Sequence, residues 1–167
     1  MRSTALFVST IIFFAAIGCS GFEREWSAWK SAPSLEISDA SLIGLWEGSW
    51  ISEASGHNGR LRCIVTPEGQ DLETLAAIPP SAGSEGGYLA RFRAKWSIFS
   101  FEHELHLEGT EEPTRFRGEA DLGWPWGVYR YEGRHAASRL VFTYRTEKDH
   151  GTFELERVAL GEGETAK

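Results

Sequence analysis

Residues 42–51 carry an alternating stripe, Gly44, Trp46, Gly48 and Trp50, that constrains the fold more than any other stretch of the chain. Because successive residues of a β-strand point to opposite faces, these four residues would share one face. A glycine inside a strand weakens it and marks a place where another backbone or a ligand comes close. The stripe therefore predicts the first strand of a closed antiparallel barrel, with an ordinary half-buried strand as the alternative.

Alternation of apolar and polar residues continues along the chain and predicts seven further strands. It is clearest in residues 88–96 and 98–109, which we expect to form a hairpin with Arg93 opposite Glu102. Consecutive strands joined mostly by short links curl and close, which removes exposed edges. We predict an all-β fold, an eight-stranded antiparallel meander closed into a small barrel, with a β-sandwich as the alternative.

Opposed charges also predict registers for the later hairpins. The expected pairs are Glu108 with Arg115, Asp121 with Arg130, and Glu132 with Arg139.

Residues 67–87 form one long connection, with one or two helical turns expected at residues 71–78. Connections of this length are uncommon in compact domains and are usually functional or disordered.

The N-terminus resembles a secretion signal. Residues 5–17 form an apolar run that is too short to span a membrane but fits the core of a signal peptide. Residues 16–19, Ala-Ile-Gly-Cys, resemble the lipobox of bacterial lipoproteins, which implies that Cys19 is lipidated and becomes the mature N-terminus. Ser20 in turn resembles the signal for sorting to the outer membrane. Ordinary signal peptidase, which would leave the cysteine without lipid, is the alternative.

These features divide the chain into four parts. The predicted parts are a signal peptide at 1–18, a tether at 19–40, a barrel domain at 41–160 and a disordered tail at 161–167. Within the tether, Trp26 and Trp29 would pack on the barrel or lie at the lipid interface. The second cysteine, Cys63, is expected to be a buried apolar residue rather than a reactive thiol.

The charge of the chain argues against several functions. The formal net charge is −7 and no basic cluster is present, whereas nucleic-acid binding depends on Lys and Arg contacts to phosphates. The same charge disfavours electrostatic attraction to anionic lipids. No nucleophile elbow, zinc-protease motif or phosphate loop occurs. The sequence therefore predicts no cofactor and no metal, and an enzyme is less favoured than a binding or structural protein.

Two residues of the first strand carry a family resemblance. Gly44-x-Trp46 resembles the Gly-x-Trp signature of lipocalins, and the whole pattern is similar to avidin-like up-and-down barrels and to small uncharacterised bacterial lipoproteins. The resemblance implies a small, apolar ligand inside the barrel. The candidate lining residues are the inward aromatic side chains and one histidine, for which a role in core packing is the alternative: Trp46, Trp50, Tyr88, Phe92, Trp96, Phe101, His103, Tyr129, Tyr131 and Phe142.

A polar mouth is the other candidate site. In a meander, alternate loops meet at one end, so His57, Asp149 and His150 could converge beside Trp124 and Trp126. Two imidazoles and a carboxylate could bind a metal or transfer protons. The alternative is that these are polar loop residues that never meet.

Three functions follow from these expectations. The favoured one is an envelope lipoprotein, held on the periplasmic face of the outer membrane by the lipid on Cys19, that binds a small apolar ligand in its barrel. The second is a structural or protein-interaction lipoprotein with a filled barrel. An enzyme at the mouth is the third. The sequence names no protein partner.

Overall fold

A computed structural model describes residues 21–32, 37–38, 41–77, 87–110, 112, 114–125 and 127–160. The predictions for the signal peptide, for lipidation of Cys19 and for Ser20 lie outside the described residues, as do the end of the long connection at 78–86 and the tail at 161–167.

The described chain forms a closed antiparallel barrel. Its strands in chain order are β1 (Gly44–Ser52), β2 (Asn58–Pro67), β3 (Tyr88–Trp96), β4 (Phe99–Gly109), β5 (Arg115–Asp121), β6 (Val128–Ala136), β7 (Arg139–Arg145) and β8 (His150–Arg157). Each strand pairs with the next, and β8 pairs with β1, so that the sheet closes. This confirms the predicted eight-stranded barrel over the sandwich alternative.

The β3–β4 hairpin has the predicted register. Arg93 lies opposite Glu102, and Phe92 lies opposite His103 on the inner face. The Arg93 and Glu102 side chains form an ion pair of 3.2 Å. The hairpin turns at Ser97, which takes the left-handed conformation with φ 54°.

The two hairpins that flank β5 are each shifted by two residues from the predicted registers. A shift of two keeps every side chain on its face, so the inside–outside pattern cannot detect it. Exposed ion pairs form equally well in either register and contribute little to the choice. The observed pairs are Glu108 with Arg117 and Glu119 with Arg130, in place of Glu108 with Arg115 and Asp121 with Arg130.

The predicted β6–β7 pairing is also wrong. Glu132 lies opposite Thr143, whereas Arg139 lies opposite Ala136 at the turn. The reason is a tight turn that begins at Ala137, whose φ is 49°. Left-handed conformations favour Gly or Asn, so this turn has no sequence signal and was expected two or more residues earlier.

The barrel interior holds the main hydrophobic core. Inward residues of all eight strands form one cluster, in which Trp46, Phe92, Leu105, Leu140 and Phe142 have no exposed surface. Cys63 belongs to this cluster, and its burial raises the pKa of the thiol well above the usual value. The expectation of a buried, inert cysteine is confirmed.

A helix covers the outside of the barrel. Helix α1 (Gly21–Lys30) lies within the predicted tether and buries three aromatic side chains, Phe22, Trp26 and Trp29. They form a second apolar cluster on the outer wall with Ile43 just before β1, Leu45 of β1, Ile64 of β2 and Leu75 of the long connection. Of the two predicted locations for Trp26 and Trp29, the structure shows the barrel wall.

Ion pairs set the direction of α1. Near its start, Glu23 contacts Arg62 at 3.3 Å and Arg93 at 3.0 Å, which are adjacent residues of β2 and β3. Two residues later, Glu25 pairs with Arg91. The helix therefore begins at mid-height on the barrel wall and runs towards the end where β1 begins.

The long connection contains the expected helical turn. Helix α2 (Leu72–Ala77) buries Leu75 against the outer cluster. Asp71 caps it, since its carboxylate accepts a hydrogen bond of 2.9 Å from the Thr74 backbone N–H, and this bond lowers the pKa of Asp71. Neither helix in the described part of the chain has the length and apolar character needed to cross a membrane.

Candidate functional site

Aromatic rings fill the middle of the barrel. The Phe92 ring lies 5.1 Å from His103, 5.6 Å from Phe142 and 5.6 Å from Phe153, measured between ring centroids. Tyr131 continues the stack at 6.0 Å from His103. Spacings of 4.5–7 Å are those of packed aromatic pairs, so this part of the interior is occupied by the protein's own side chains.

The predicted lining residues are distributed over three environments. Trp46, Phe92, Tyr131 and Phe142 are buried in the core. Trp50, Tyr88, His103 and Tyr129 are partly buried towards the ends of the barrel, while Trp96 and Phe101 are exposed.

The barrel wall is less completely paired towards the end where β3 meets β4. There β4 pairs with β5 only between residues 107 and 109, although β4 and β3 remain paired up to Phe99. The outer half of the β3–β4 hairpin therefore projects beyond the paired part of β5. We call this end of the barrel the mouth.

His103 lies just inside the mouth. Its Nε2 is 3.2 Å from the Tyr131 hydroxyl, whereas its buried Nδ1 has no hydrogen-bond partner among the described residues. Desolvation lowers the pKa of His103 to about 4, so the ring is neutral near pH 7. Burial also raises the pKa of Tyr131 far above its usual value. The pair is an uncharged hydrogen bond within an apolar stack.

The low pKa of His103 makes the protein less stable in acid. The pKa is about 4 in the folded protein against 6.5 for an exposed histidine. Between these values mainly the unfolded chain binds the proton. The contribution of His103 to the free energy of unfolding is therefore fully present above about pH 6.5. It is lost as the pH falls towards about 4, and the total loss is about 3 kcal/mol.

We expect His103→Gln to reduce this acid sensitivity, because it removes the titrating ring and keeps a polar group for Tyr131. The measurement is urea unfolding at a series of pH values from about 7 to about 4. His106→Gln is the control, since that ring lies on the exposed face of the same strand. His135, whose pKa is also lowered by burial, contributes equally to both variants. Identical pH profiles for the two variants would contradict the assignment.

A hydrogen-bonded carboxylate joins the loops at the mouth. The Asp149 carboxylate accepts hydrogen bonds from the Ser52 hydroxyl at 2.6 Å, the Tyr144 hydroxyl at 3.1 Å and the His150 backbone N–H at 2.8 Å. Burial, followed by the nearby Asp149 charge, raises the pKa of Tyr144. These bonds hold the ends of β1, β7 and β8 together.

The three residues predicted to form a polar mouth, His57, Asp149 and His150, each contact different partners. The His57 ring packs on Trp96 at 4.6 Å. His150 faces Glu53 at 3.5 Å, while the Asp149 carboxylate is engaged as described. In the described ranges no three His, Cys, Asp or Glu side chains are placed to hold a metal ion. Trp124 is almost fully exposed, and Trp126 lies outside the described residues.

The opposite end of the barrel is closed by a contact that the sequence analysis missed. The Arg157 guanidinium lies 4.3 Å from the centre of the Trp46 ring and donates a 2.8 Å hydrogen bond to the Ile43 carbonyl. The His135 ring also contacts the Trp46 ring, edge to face, with 5.4 Å between the ring centroids. The available signal was an arginine at an inward position of the last strand, in phase with Phe153.

A shallow groove lies on the outer wall of the barrel. It has a volume of about 410 Å³ and lies over β1 and β8, where carboxylates predominate: Glu47, Glu154 and Glu156, with Arg139. Arg139 is already paired with Glu154 at 3.0 Å. The groove therefore has the character of a solvated polar surface.

Fold and site together define a small closed β-barrel with a side-chain-filled centre and a mouth at which β4 and β5 are only partly paired. No protein-family model and no curated protein matches this chain.

Proposed function

We propose that this protein is a lipid-anchored protein of the bacterial envelope whose filled barrel is a rigid scaffold for contacts made outside it. The packed interior supports this role: Trp46, Phe92, Tyr131 and Phe142 each have at most 2% of their surface exposed. An eight-stranded barrel is just wide enough to be filled by side chains or to hold one small ligand. In this barrel the aromatic stack occupies the volume that such a ligand would need.

Support for the anchor comes from the N-terminal sequence. The apolar run at 5–17 and the lipobox-like residues 16–19 would direct the chain across the inner membrane and place lipid on Cys19. Ser20 favours the periplasmic face of the outer membrane. This localisation is part of the proposal.

Cys19→Ala is expected to release the protein from membranes, because no lipid can be attached. The measurement is fractionation of cells into soluble and membrane pools, followed by detection of the protein in each. Cys63→Ala is the control, since it removes the other cysteine and should leave the protein in the membrane pool. A mature protein whose measured mass includes no lipid on Cys19 would refute the lipid anchor.

Native mass spectrometry of the protein extracted from its own envelope tests the scaffold role. The expected mass is that of the lipidated chain alone. A second, apolar molecule that remains bound would instead favour the ligand-binding function.

One observation supports that second candidate function: the Trp50 Nε1 and His103 Nδ1 atoms are buried near the mouth without partners among the described residues. A ligand with polar atoms could satisfy both.

A further inference from the structure

We infer that the mouth of the barrel docks on a lipid surface through a rim of exposed apolar side chains. Among the described residues, every large hydrophobic side chain that is exposed lies at this end of the barrel. These residues, which we call the apolar rim, are Ile51, Trp96, Ile98, Phe99, Phe101, Trp124 and Val128. Scattered exposed hydrophobic residues need no explanation, but a group confined to one end marks an interaction surface.

The projecting hairpin forms the most prominent part of the rim. Ile98 lies at its tip and is 86% exposed, and the adjacent Phe99 is 60% exposed. The Trp96 ring packs on Phe99 with 6.2 Å between centroids. Trp96, Phe99 and Phe101 are in phase with the inward residues of their strands, yet the mouth leaves them open to solvent. They are core-type side chains without a core around them.

The closed end of the barrel provides the contrast. There the outer apolar residues Ile43, Leu45 and Ile64 are covered by α1, together with Leu75 of α2. The apolar surface that the described chain leaves uncovered is thus concentrated at the mouth.

The start of the described chain points towards the same end. Glu23 lies beside Arg62 and Arg93, while Trp29 belongs to the cluster beside the start of β1. Helix α1 therefore begins at mid-height, and its first turn lies nearer the mouth than its last turn. Cys19 precedes Gly21 by two residues, which span about 7 Å at most. The orientation of the barrel with its mouth towards the membrane rests on the lipid anchor proposed above. In this orientation the anchor and the apolar rim would enter the same membrane.

The chemistry of the rim favours lipid over the other possible occupants. Tryptophan is enriched at membrane–water interfaces, where its ring meets both apolar and polar surroundings, and Trp96 and Trp124 both lie in the rim. Insertion of apolar side chains would add to the membrane binding that the proposed lipid on Cys19 provides. Because the protein carries a net charge of −7, we expect binding to zwitterionic lipid without any gain from anionic lipid.

The test uses the chain from residue 19 with Cys19→Ser, which keeps every described residue and has no anchor. We expect it to sediment with vesicles of phosphatidylcholine and phosphatidylethanolamine, with a blue shift of tryptophan fluorescence. The double substitution Ile98→Glu with Phe99→Glu should weaken the partition at least about tenfold, because it removes two inserting side chains. Replacing part of the zwitterionic lipid with phosphatidylglycerol should not strengthen binding.

The matched control adds the same two charges at the closed end, as Thr114→Glu with Ser138→Glu, and should bind vesicles within about twofold of the parent chain. All four positions are exposed, so circular dichroism and melting should show folded proteins. Failure of the parent chain to bind, or equal binding by both double variants, would overturn the inference. A dimer that only the rim variant dissociates, without vesicle binding, would assign the rim to a second copy of the chain. The anchor is tested separately by whether the mass of the mature protein includes lipid on Cys19, so either proposal can fail alone.

Discussion

Trp46→Ala is expected to lower the free energy of unfolding by about 3–5 kcal/mol, a large part of the about 5–15 kcal/mol typical of a domain. The ring has no exposed surface. It lies between the Arg157 guanidinium and His135, and its Nε1 donates a 2.9 Å hydrogen bond to the Leu42 carbonyl. Alanine would leave a cavity at the closed end of the barrel and remove the ring that the partly buried Arg157 guanidinium contacts.

Urea and thermal unfolding measure this loss. Trp124→Ala is the matched control, because it makes the same chemical change at a ring that is 95% exposed, and we expect a change within about 0.5 kcal/mol. Glu47→Ala, on the outer face of the same strand, should also cost much less than Trp46→Ala. Small and equal losses for all three variants would show that β1 does not form the core.

Gly48→Leu should destabilise the protein by about 3 kcal/mol or more, the upper part of the range for overpacking. A Cβ atom at Gly48 would lie 2.0 Å from the carbonyl oxygen of Glu154 and 2.9 Å from the Cα of Leu155. Both atoms belong to the backbone of β8, so the clash cannot be relieved by rotation of a side chain. The strand pair that closes the barrel would have to move apart.

Gly109→Leu is the control for this substitution. A Cβ atom at Gly109 meets nothing within 4 Å, so the free energy of unfolding should change much less. Gly48→Ala keeps the comparison measurable if Gly48→Leu does not fold, because it already introduces the clashing atom. Equal stability of the Gly48 and Gly109 variants in urea unfolding would contradict the close approach of β1 and β8.

The sequence predicted the barrel and one hairpin register correctly because two independent patterns agreed there. In β3 and β4 the apolar residues specify the inner face, and the Arg93–Glu102 pairing selects the register on the outer face. Around β5 the same reasoning failed, because every outer position of that strand carries a charged residue. Several registers then satisfy the charges equally well, and the closure of the barrel selects among them.

The candidate site was predicted less completely than the fold. Alternation placed ten side chains on inward positions, but it could not separate the buried Phe92 from the exposed Trp96 of the same strand. That difference depends on how far the neighbouring strand β5 extends. The Arg157–Trp46 contact likewise joins the last strand to the first, and a charged residue at an inward position gave only an indirect indication of it.

The sequence by itself determined the alternation of inward and outward side chains and the number of strands. It also determined the burial of Cys63 and the need for small residues beside the large rings on β1. These properties depend on local geometry, in which each residue faces one side of a pleated strand. Only the tertiary structure decided the later registers, the position of α1 on the outer wall, the filled interior and the apolar rim. These depend on contacts between segments far apart in the chain, whose free energies are set by closure of the barrel and by which surfaces it leaves uncovered.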